Sequence, residues 1–283
     1  MTHMCCERPV RLYIAANMDM ELPASDVLTP ARTDCRSGDN IADRADYCEL
    51  RVQYWVWKNV SPEAYTHVGF FHFRRYLDLS ERGRGNRRRP YRIQKEPDPD
   101  DYRCDVVRDT VIPYDVIAPI WEYTGIPVWE RYGSSAGHRR EDLELVYQII
   151  QEKYPKFSGA ADTYLNGQGE YYGNIYIMRR RVFDEYCQWL FSILEEFERR
   201  SQSEALPRTP GYLAERLFGI WFTEFKAGEG RSWTECPRVH FWKYDDERHH
   251  FFRRRALNAL LPPGTKRRAV VNKWLLKMRA TKL

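Results

Sequence analysis

Short apolar runs alternate with longer amphipathic segments along this chain, which predicts an α/β sheet flanked by helices. Runs typical of buried strands occupy residues 8–16, 67–76, 114–119, 173–178 and 239–244. Apolar residues at helical spacing predict helices over 44–59, 139–154, 181–200 and 211–222. The stretch 80–104 is rich in Arg, Pro and Asp and has no such pattern, so we expect a mobile surface excursion there.

The run over 67–76 is the most informative because an apolar strand leads directly into His72, Arg74 and Arg75. In open α/β sheets, ligands bind at the carboxyl ends of the strands. Neighbouring guanidinium groups match the geometry of phosphate with parallel hydrogen bonds, so we predict an anion-binding site there. The alternative is that both arginines pair with acidic neighbours and that His72 packs in the core.

The net charge of +5 is distributed unevenly along the chain. Residues 253–283 contain ten Lys and Arg and no Asp or Glu, and removing these charges leaves −5 for residues 1–252. We therefore distinguish a globular domain over 8–250 from a basic tail over 253–283. An acidic domain argues against a broad nucleic-acid-binding face, so we expect no nucleic-acid partner.

The tail itself fits a basic amphipathic helix over 265–282, with Trp274, Leu275 and Met278 on its apolar side. This pattern predicts binding to an anionic membrane surface. Docking of the same helix on the body of the protein is the alternative.

Several classes of protein are excluded by missing motifs. The seven cysteines include no Cys-x-x-Cys pair, which argues against a disulfide framework or a zinc site. No Gly-x-Gly-x-x-Gly and no Walker-type loop is present, which argues against a dehydrogenase or a P-loop NTPase. Without a signal sequence or a long apolar run, we expect a cytoplasmic protein, peripheral at the inner face of the plasma membrane.

A series of motifs in order resembles a bacterial family, DUF4422, which is assigned to the GT-A glycosyltransferases of capsule and exopolysaccharide loci. The series includes Leu12-Tyr-Ile-Ala-Ala, Gly38-Asp-Asn-Ile, Tyr54-Trp-Val-Trp-Lys-Asn, Val68-Gly-Phe-Phe-His-Phe-Arg-Arg-Tyr and Asn174-Ile-Tyr-Ile-Met. The chain departs from the family in the insertion at 80–104 and in Phe73, where the family usually has Tyr.

The resemblance implies a GT-A-like fold, with a single Rossmann-type mixed sheet flanked by helices. It also implies an enzyme that moves a sugar from a nucleotide-diphosphate sugar, a UDP-sugar in our prediction, onto a polysaccharide or lipid-linked glycan acceptor. Galactofuranose is a donor sugar associated with relatives. The alternatives from other classes are a non-catalytic glycan-binding protein and a nucleic-acid-binding protein.

GT-A enzymes usually end a strand in Asp-x-Asp, which holds a divalent cation against the donor diphosphate, whereas here the corresponding strand ends in His72-Phe-Arg-Arg. Guanidinium groups cannot ligate a cation, but they can neutralise a leaving diphosphate directly. We therefore predict a donor diphosphate site at His72, Arg74 and Arg75, with no cofactor and no metal.

Two ways of holding a metal remain open. In the first, His72 is itself a metal ligand. In the second, Asp98, Asp100 and Asp101 provide a displaced Asp-x-Asp pattern from a Pro-rich loop.

The resemblance also assigns roles to residues elsewhere in the chain. As the base that deprotonates the acceptor, the first candidate is Glu215 and the second is Asp142. The candidates for nucleotide binding are Asn17, Asp39, Asn40 and Glu49, and those for contacts to the sugar or acceptor are Tyr76, His138, Asn174 and Arg216. As alternatives, the pair at 39–40 forms a turn and a helix cap, and Glu215 pairs with Arg216 on a helix surface.

Overall fold

The computed structural model describes residues 10–17, 20–80, 89–201, 207–244, 260–261, 267–268 and 270–271. The predicted tail helix over 265–282 and both ends of the predicted domain lie largely or wholly outside these ranges. Among the helices within the ranges, none combines the length and the apolar character that a membrane-spanning segment needs.

Strands and helices alternate along the chain, as the sequence predicts. The strands are β1 (Val10–Ala16), β2 (Leu28–Arg32), β3 (His67–His72), β4 (Arg75–Leu77), β5 (Tyr91–Gln94), β6 (Val116–Pro119), β7 (Glu122–Tyr123), β8 (Gly169–Glu170), β9 (Tyr176–Arg179), β10 (Trp233–Cys236) and β11 (Arg238–Phe241). The helices are α1 (Leu50–Asn59), α2 (Cys104–Val111), α3 (Val128–Gly133), α4 (Arg140–Lys153), α5 (Ser158–Asn166), α6 (Arg180–Arg200) and α7 (Thr209–Ala227).

One mixed sheet of nine strands organises the described part of the chain. Its main order is β2-β1-β3-β9-β6-β10, and β9 is antiparallel to both β3 and β6, whereas β1 is parallel to β3 and β10 to β6. Strand β4 turns back from the end of β3 and begins a branch, β4-β11-β5. The carboxyl ends of β1, β3, β6 and β10 therefore share one side of the sheet, here called the carboxyl edge.

Strand β3 is central, as its apolar sequence predicts. A Cβ atom on Gly69 would lie 2.6 Å from Leu12 Cδ2 and 2.7 Å from Ile177 Cγ1, so side chains of both neighbouring strands close over this glycine. The prediction that the strand continues to residue 76 was wrong. The chain turns after His72, and Arg75 pairs with His72 as the first residue of β4.

Two apolar layers cover the two faces of the sheet. Helices α1 and α4–α7 contribute to one layer, in which buried aromatic rings of α6 and α7 such as Phe183 and Phe218 contact Tyr176 or Phe70 of the sheet. Helix α2 and the branch strands contribute to the other, which includes Phe71, Tyr76 and Tyr102. Both faces of the central strands are thus buried, which leaves the strand ends to carry the chemistry.

The structure corrects two further boundaries. The helix predicted over 44–59 begins only at Leu50, because Cys48 adopts a left-handed conformation with φ 50° that a helix cannot include. The stretch 80–104 contains regular structure, since β5 pairs with β11 and a short 3₁₀ turn, Pro99–Tyr102, precedes α2. Residues 81–88 of that stretch lie outside the described ranges.

Candidate active site

The turn before β9 holds two carboxylates at the carboxyl edge. Gly173 (φ 95°) and Asn174 (φ 48°) are consecutive left-handed residues, a conformation that glycine and asparagine tolerate best. The Gly173 N–H donates to Glu215 Oε1 at 2.6 Å, and Asn174 Nδ2 donates to Glu49 Oε1 at 2.9 Å. Asn174 Nδ2 also donates to the Gly211 carbonyl at 3.1 Å. Gly173 and Asn174 therefore fix the start of α1 and the first turns of α7 against the sheet.

Left-handed backbone is concentrated in this region. Among the described residues other than glycine, positive φ occurs at Cys48 (50°), Asn174 (48°) and Arg208 (73°). Arg208 Nε donates to Cys48 Sγ at 3.3 Å, and Cys48 directly precedes Glu49, the partner of Asn174. Each such residue costs about 1–2 kcal/mol relative to right-handed backbone, and backbone strain of this kind clusters at functional sites. The carboxylate pair and these three residues therefore mark one candidate site.

Glu215 has the environment of a general base. Burial raises the pKa of its carboxyl group, and the nearby Glu49 adds to that rise, while Arg216 and the Gly173 N–H oppose it. Its side chain is 16% exposed, so one side remains accessible. A carboxylate whose pKa is raised toward the working pH accepts a proton more readily than an ordinary one.

Arg216, predicted to contact the sugar or acceptor, forms buried ion pairs beside Glu215. Its guanidinium is buried, donates to Glu215 Oε2 at 2.8 Å and to Glu170 Oε2 at 3.1 Å, and lies over the Tyr132 ring. Glu170 itself is 1% exposed. The alternative that Glu215 pairs with Arg216 is thus confirmed, but within the protein and not on its surface.

His72 ends β3 among three guanidinium groups. Burial and the charges of Arg75, Arg74 and Arg208 hold the pKa of His72 well below its usual value, so its ring is neutral at pH 7. The Arg74 backbone N–H lies 3.4 Å from His72 Nδ1, an arrangement in which Nδ1 accepts and Nε2 carries the proton. A neutral donor surrounded by cations favours an anion with several oxygen atoms. Arg208, which lies far along the chain from the other two arginines, was not predicted from the sequence.

A second buried arginine lies behind this group. Arg238 is 2% exposed, and burial together with Arg75 lowers its pKa to about 9. It forms an ion pair with Glu122 of β7, and Glu122 is opposite Glu170 in the β7–β8 ribbon. The ribbon therefore supplies one carboxylate to Arg238 and one to Arg216. No local pattern predicts these pairs, because their members are 116 and 46 residues apart.

The structure places Asp39 and Asn40, predicted to contact the nucleotide, away from the carboxyl edge. The Asp39 N–H donates to Asn59 Oδ1 at 2.9 Å, which places this loop at the far end of α1, about 14 Å along the helix from its start. The side chain of Asn40 bonds within its own turn, to the carbonyl of residue 38 and the N–H of Ala42. The turn alternative is therefore confirmed, although no helix is capped. Asn17 is exposed at the exit of β1, on the carboxyl edge as predicted.

Two more predicted site residues have structural roles. Tyr76 is fully buried and stacks on Phe71 in the core, so it cannot line a sugar site. Both carboxylate oxygens of Asp142 accept from Arg139, at 2.6 and 3.1 Å, and the residue is buried, so it is poorly placed to act as the base. Asn174, predicted to contact the sugar, is also buried, and its side chain donates to the carboxylate of Glu49.

His138, predicted to contact the sugar or acceptor, lies near the start of α7. Its ring stacks on Tyr212 with a centroid distance of 4.0 Å and meets the Tyr132 ring edge-on at 4.6 Å. Burial lowers the pKa of His138 to about 4, against the opposing effect of its bond to the Ala136 carbonyl. The ring is therefore neutral and presents an aromatic surface next to Glu215 and Arg216.

The aspartates of the Pro-rich loop serve local structure. Asp98 Oδ1 accepts from the Asp100 N–H at 3.1 Å and caps the 3₁₀ turn, and Asp101 pairs with Arg92 at 3.4 Å. In the part of the chain that the structure describes, no three His, Cys, Asp or Glu residues form a group that could hold a metal ion.

Among known proteins, the apo structure of the bifunctional glycosyltransferase WbbM matches the chain with a TM-score of 0.75 and 23% identity, over 83% of this chain. The match spans 46% of the WbbM chain, so this chain covers less than half of that enzyme, and the likeness shows a shared fold. No curated protein matches the chain. The model of one family, described as Domain of unknown function (DUF4422), matches residues 13–226, most of the sequence. The chain therefore belongs to the DUF4422 family.

Proposed function

We propose that this protein is a glycosyltransferase that moves a sugar from a nucleotide-diphosphate sugar to a hydroxyl group of a glycan. The observation that carries the proposal is the joint position of a cationic group and a carboxylate pair at the carboxyl edge. The fold shared with a bifunctional glycosyltransferase supports this reading of the site.

In this proposal His72, Arg74, Arg75 and Arg208 bind the donor diphosphate. When the bond between the anomeric carbon and the diphosphate oxygen breaks, the electron pair leaves with the diphosphate, and the guanidinium groups stabilise the added charge. Because guanidinium groups fill the role that a bridging cation has in other enzymes, we propose that donor activation requires no metal.

The proposed general base is Glu215. It takes the proton of the acceptor hydroxyl group as that oxygen bonds to the anomeric carbon. Arg216 and the Gly173 N–H hold the carboxylate in place. Asn17 and Glu49 are proposed to contact the nucleotide or the donor sugar, and His138 to present its ring to the acceptor.

The finer identity of the substrates belongs to the same proposal. We propose a UDP-sugar, with galactofuranose as the first sugar to test, and a polysaccharide or lipid-linked acceptor of capsule, exopolysaccharide or O-antigen synthesis. The basic sequence of residues 265–282 supports binding to an anionic membrane at which such an acceptor is found. Equal flotation of the full chain and a 1–252 truncation with anionic liposomes would reject that part.

The test is release of free nucleotide from a panel of sugar nucleotides, with acceptor glycans, in EDTA and in Mg²⁺ or Mn²⁺. We expect release from one donor class at equal rates in all three conditions. Each of Arg74→Gln, Arg75→Gln and Arg208→Gln removes charge-assisted hydrogen bonds of about 1.5–3 kcal/mol, so kcat/KM should fall about 10- to 100-fold. Arg103→Gln is the matched control, because Arg103 is exposed and pairs only with local aspartates.

The outcomes separate the parts of the proposal. Loss of activity in EDTA with rescue by Mn²⁺ would refute metal independence and leave the transferase in place. Full activity in all three arginine variants would refute the diphosphate site. Release from no donor in the panel would refute the transferase itself and favour a non-catalytic glycan-binding protein.

A further inference from the structure

A surface cavity of about 410 Å³ lies away from the candidate active site, between the ends of several helices. Its aromatic lining residues are Tyr154, Phe157, Trp189, Trp221 and Phe225. Phe225 is ten residues beyond Glu215 on α7, which corresponds to about 15 Å along the helix. The cavity is therefore separate from the site at the carboxyl edge.

The aromatic rings form a fixed apolar floor. Trp189 lies 4.8 Å from Phe157 between ring centroids, and Trp221 stacks on Phe225 at 5.0 Å. These four rings are between 3% and 6% exposed, so packing against the core holds their orientation. A rigid aromatic floor suits the apolar face of a pyranose or furanose ring, because the ring C–H groups pack on it with little loss of entropy.

Three polar groups around the cavity, on Trp189, Gln188 and Glu224, have no hydrogen-bond partner among the described residues. Within the described ranges, the Trp189 Nε1–H is buried and makes no hydrogen bond. The lining side chains of Gln188 and Glu224 also make no hydrogen bond or ion pair to another described residue. A buried N–H without a partner costs free energy. The cavity thus combines an apolar floor with two polar rim side chains, Gln188 and Glu224, that can bond hydroxyl groups.

The charges of the lining identify the kind of ligand. Lys156 and Arg231 contribute two cations, and Glu185 and Glu224 contribute two carboxylates, so the formal charge of the lining is zero. Such a lining gives no net attraction to an anionic phosphate or to the tail, whose residues 253–283 carry ten basic groups and no acidic one. An uncharged ligand with many hydroxyl groups meets both the floor and the polar rim.

We propose that this cavity is a binding site for an uncharged oligosaccharide, which holds a segment of the glycan away from the reaction centre. The advantage of this second site rests on the proposed function, since a transferase that extends a glycan benefits from binding the glycan at two places. Binding at the second site raises the effective concentration of the acceptor end at the active site. The binding itself requires no donor and no catalysis.

The test is saturation-transfer NMR titration of the full chain with a panel of neutral hexose oligosaccharides, without donor. Gln188→Ala/Glu224→Ala removes two partners at the rim, and we expect the affinity for the bound oligosaccharide to fall about tenfold. Trp189→Phe replaces the indole with a smaller aromatic ring and so reduces the apolar floor, and we expect a smaller loss in the same direction. Gln151→Ala/Glu229→Ala is the matched control, because it changes the same two residue types at exposed positions outside the lining.

The donor site provides the second comparison. Arg75→Gln should leave oligosaccharide binding unchanged, even if it abolishes nucleotide release. Binding lost in Arg75→Gln, or lost equally in both double variants, would place the saccharide elsewhere and overturn the proposal. Absence of binding by the whole panel, or binding of a synthetic 253–283 peptide in its place with contacts to Trp189, would also overturn it. Each of these outcomes leaves the transferase proposal untouched, because nucleotide release tests that separately.

Discussion

The turn at Asn174 offers the sharpest test of how the site is built. Its side chain donates to the carboxylate of Glu49 and to the carbonyl of Gly211, at 2.9 and 3.1 Å. A hydrogen bond to a charged group contributes about 1.5–3 kcal/mol and one to a neutral group about 0.5–1.5 kcal/mol. Asn174→Gly removes both, so we expect the free energy of unfolding to fall by about 2–4 kcal/mol.

Asn174→Ala removes the same bonds but keeps a Cβ atom on a left-handed backbone. The left-handed conformation (φ 48°) costs a residue with a Cβ atom about 1–2 kcal/mol. The greater freedom of glycine in the unfolded chain offsets about 0.4–1 kcal/mol of that difference. We therefore expect the Ala variant to be less stable than the Gly variant by about 0.5–1 kcal/mol, the reverse of the order found within helices.

Urea unfolding followed by circular dichroism measures both differences, with nucleotide release measured on the same samples. Asn166→Ala is the control, because its side chain makes one exposed bond to the Asp162 carbonyl, and it should change stability by about 0.5 kcal/mol or less. Both Asn174 variants should lose about 100-fold in kcat, because Glu49 and the first turn of α7 lose their common anchor. An Ala variant as stable as the Gly variant would refute the strained turn. Wild-type kcat in both would refute the role of this turn in positioning the carboxylates.

Three further predictions test the charges and the packing around the site. His72 is neutral in the free protein, and the negative charge of a bound diphosphate raises its pKa. Donor affinity should therefore increase as pH falls from 8 to 5.5. A pH series of donor KM measures this dependence, which His72→Gln should flatten. Glu170 raises the pKa of Glu215, so Glu170→Gln should move the acidic limb of the pH–rate profile to lower pH; an upward shift or no shift would contradict this arrangement. Gly69→Ala places a Cβ atom 2.6 and 2.7 Å from side chains on the two neighbouring strands. Thermal or urea unfolding should therefore show a free energy of unfolding that is lower by about 1–3 kcal/mol. Unchanged stability would mean that the strands can separate at no cost.

Local sequence patterns predicted the elements whose residues interact mainly with near neighbours or with a uniform apolar environment. The strand at 67–72 and the helices at 140–153 and 180–200 were found within a few residues of their ends. Burial on both faces requires a continuous apolar strand, and burial on one face requires helical spacing, so both leave a readable pattern. The same reasoning found Arg74 and Arg75 as candidates, because they follow such a strand, whereas Glu215 was a candidate through the family resemblance.

The tertiary structure alone decided which polar residues meet. Asp39 and Asn40 looked like residues of a nucleotide site, yet they bond at the far end of α1. Glu170, Glu122 and Arg238 gave no local signal, yet they form the buried pairs behind the site. The left-handed backbone at Cys48, which makes the predicted helix begin later than its sequence pattern, is equally invisible in that pattern. Apolar periodicity indicates which side of a segment is buried, and this pattern lies within the segment's own sequence. An ion pair depends instead on the packing of segments that are far apart in the chain.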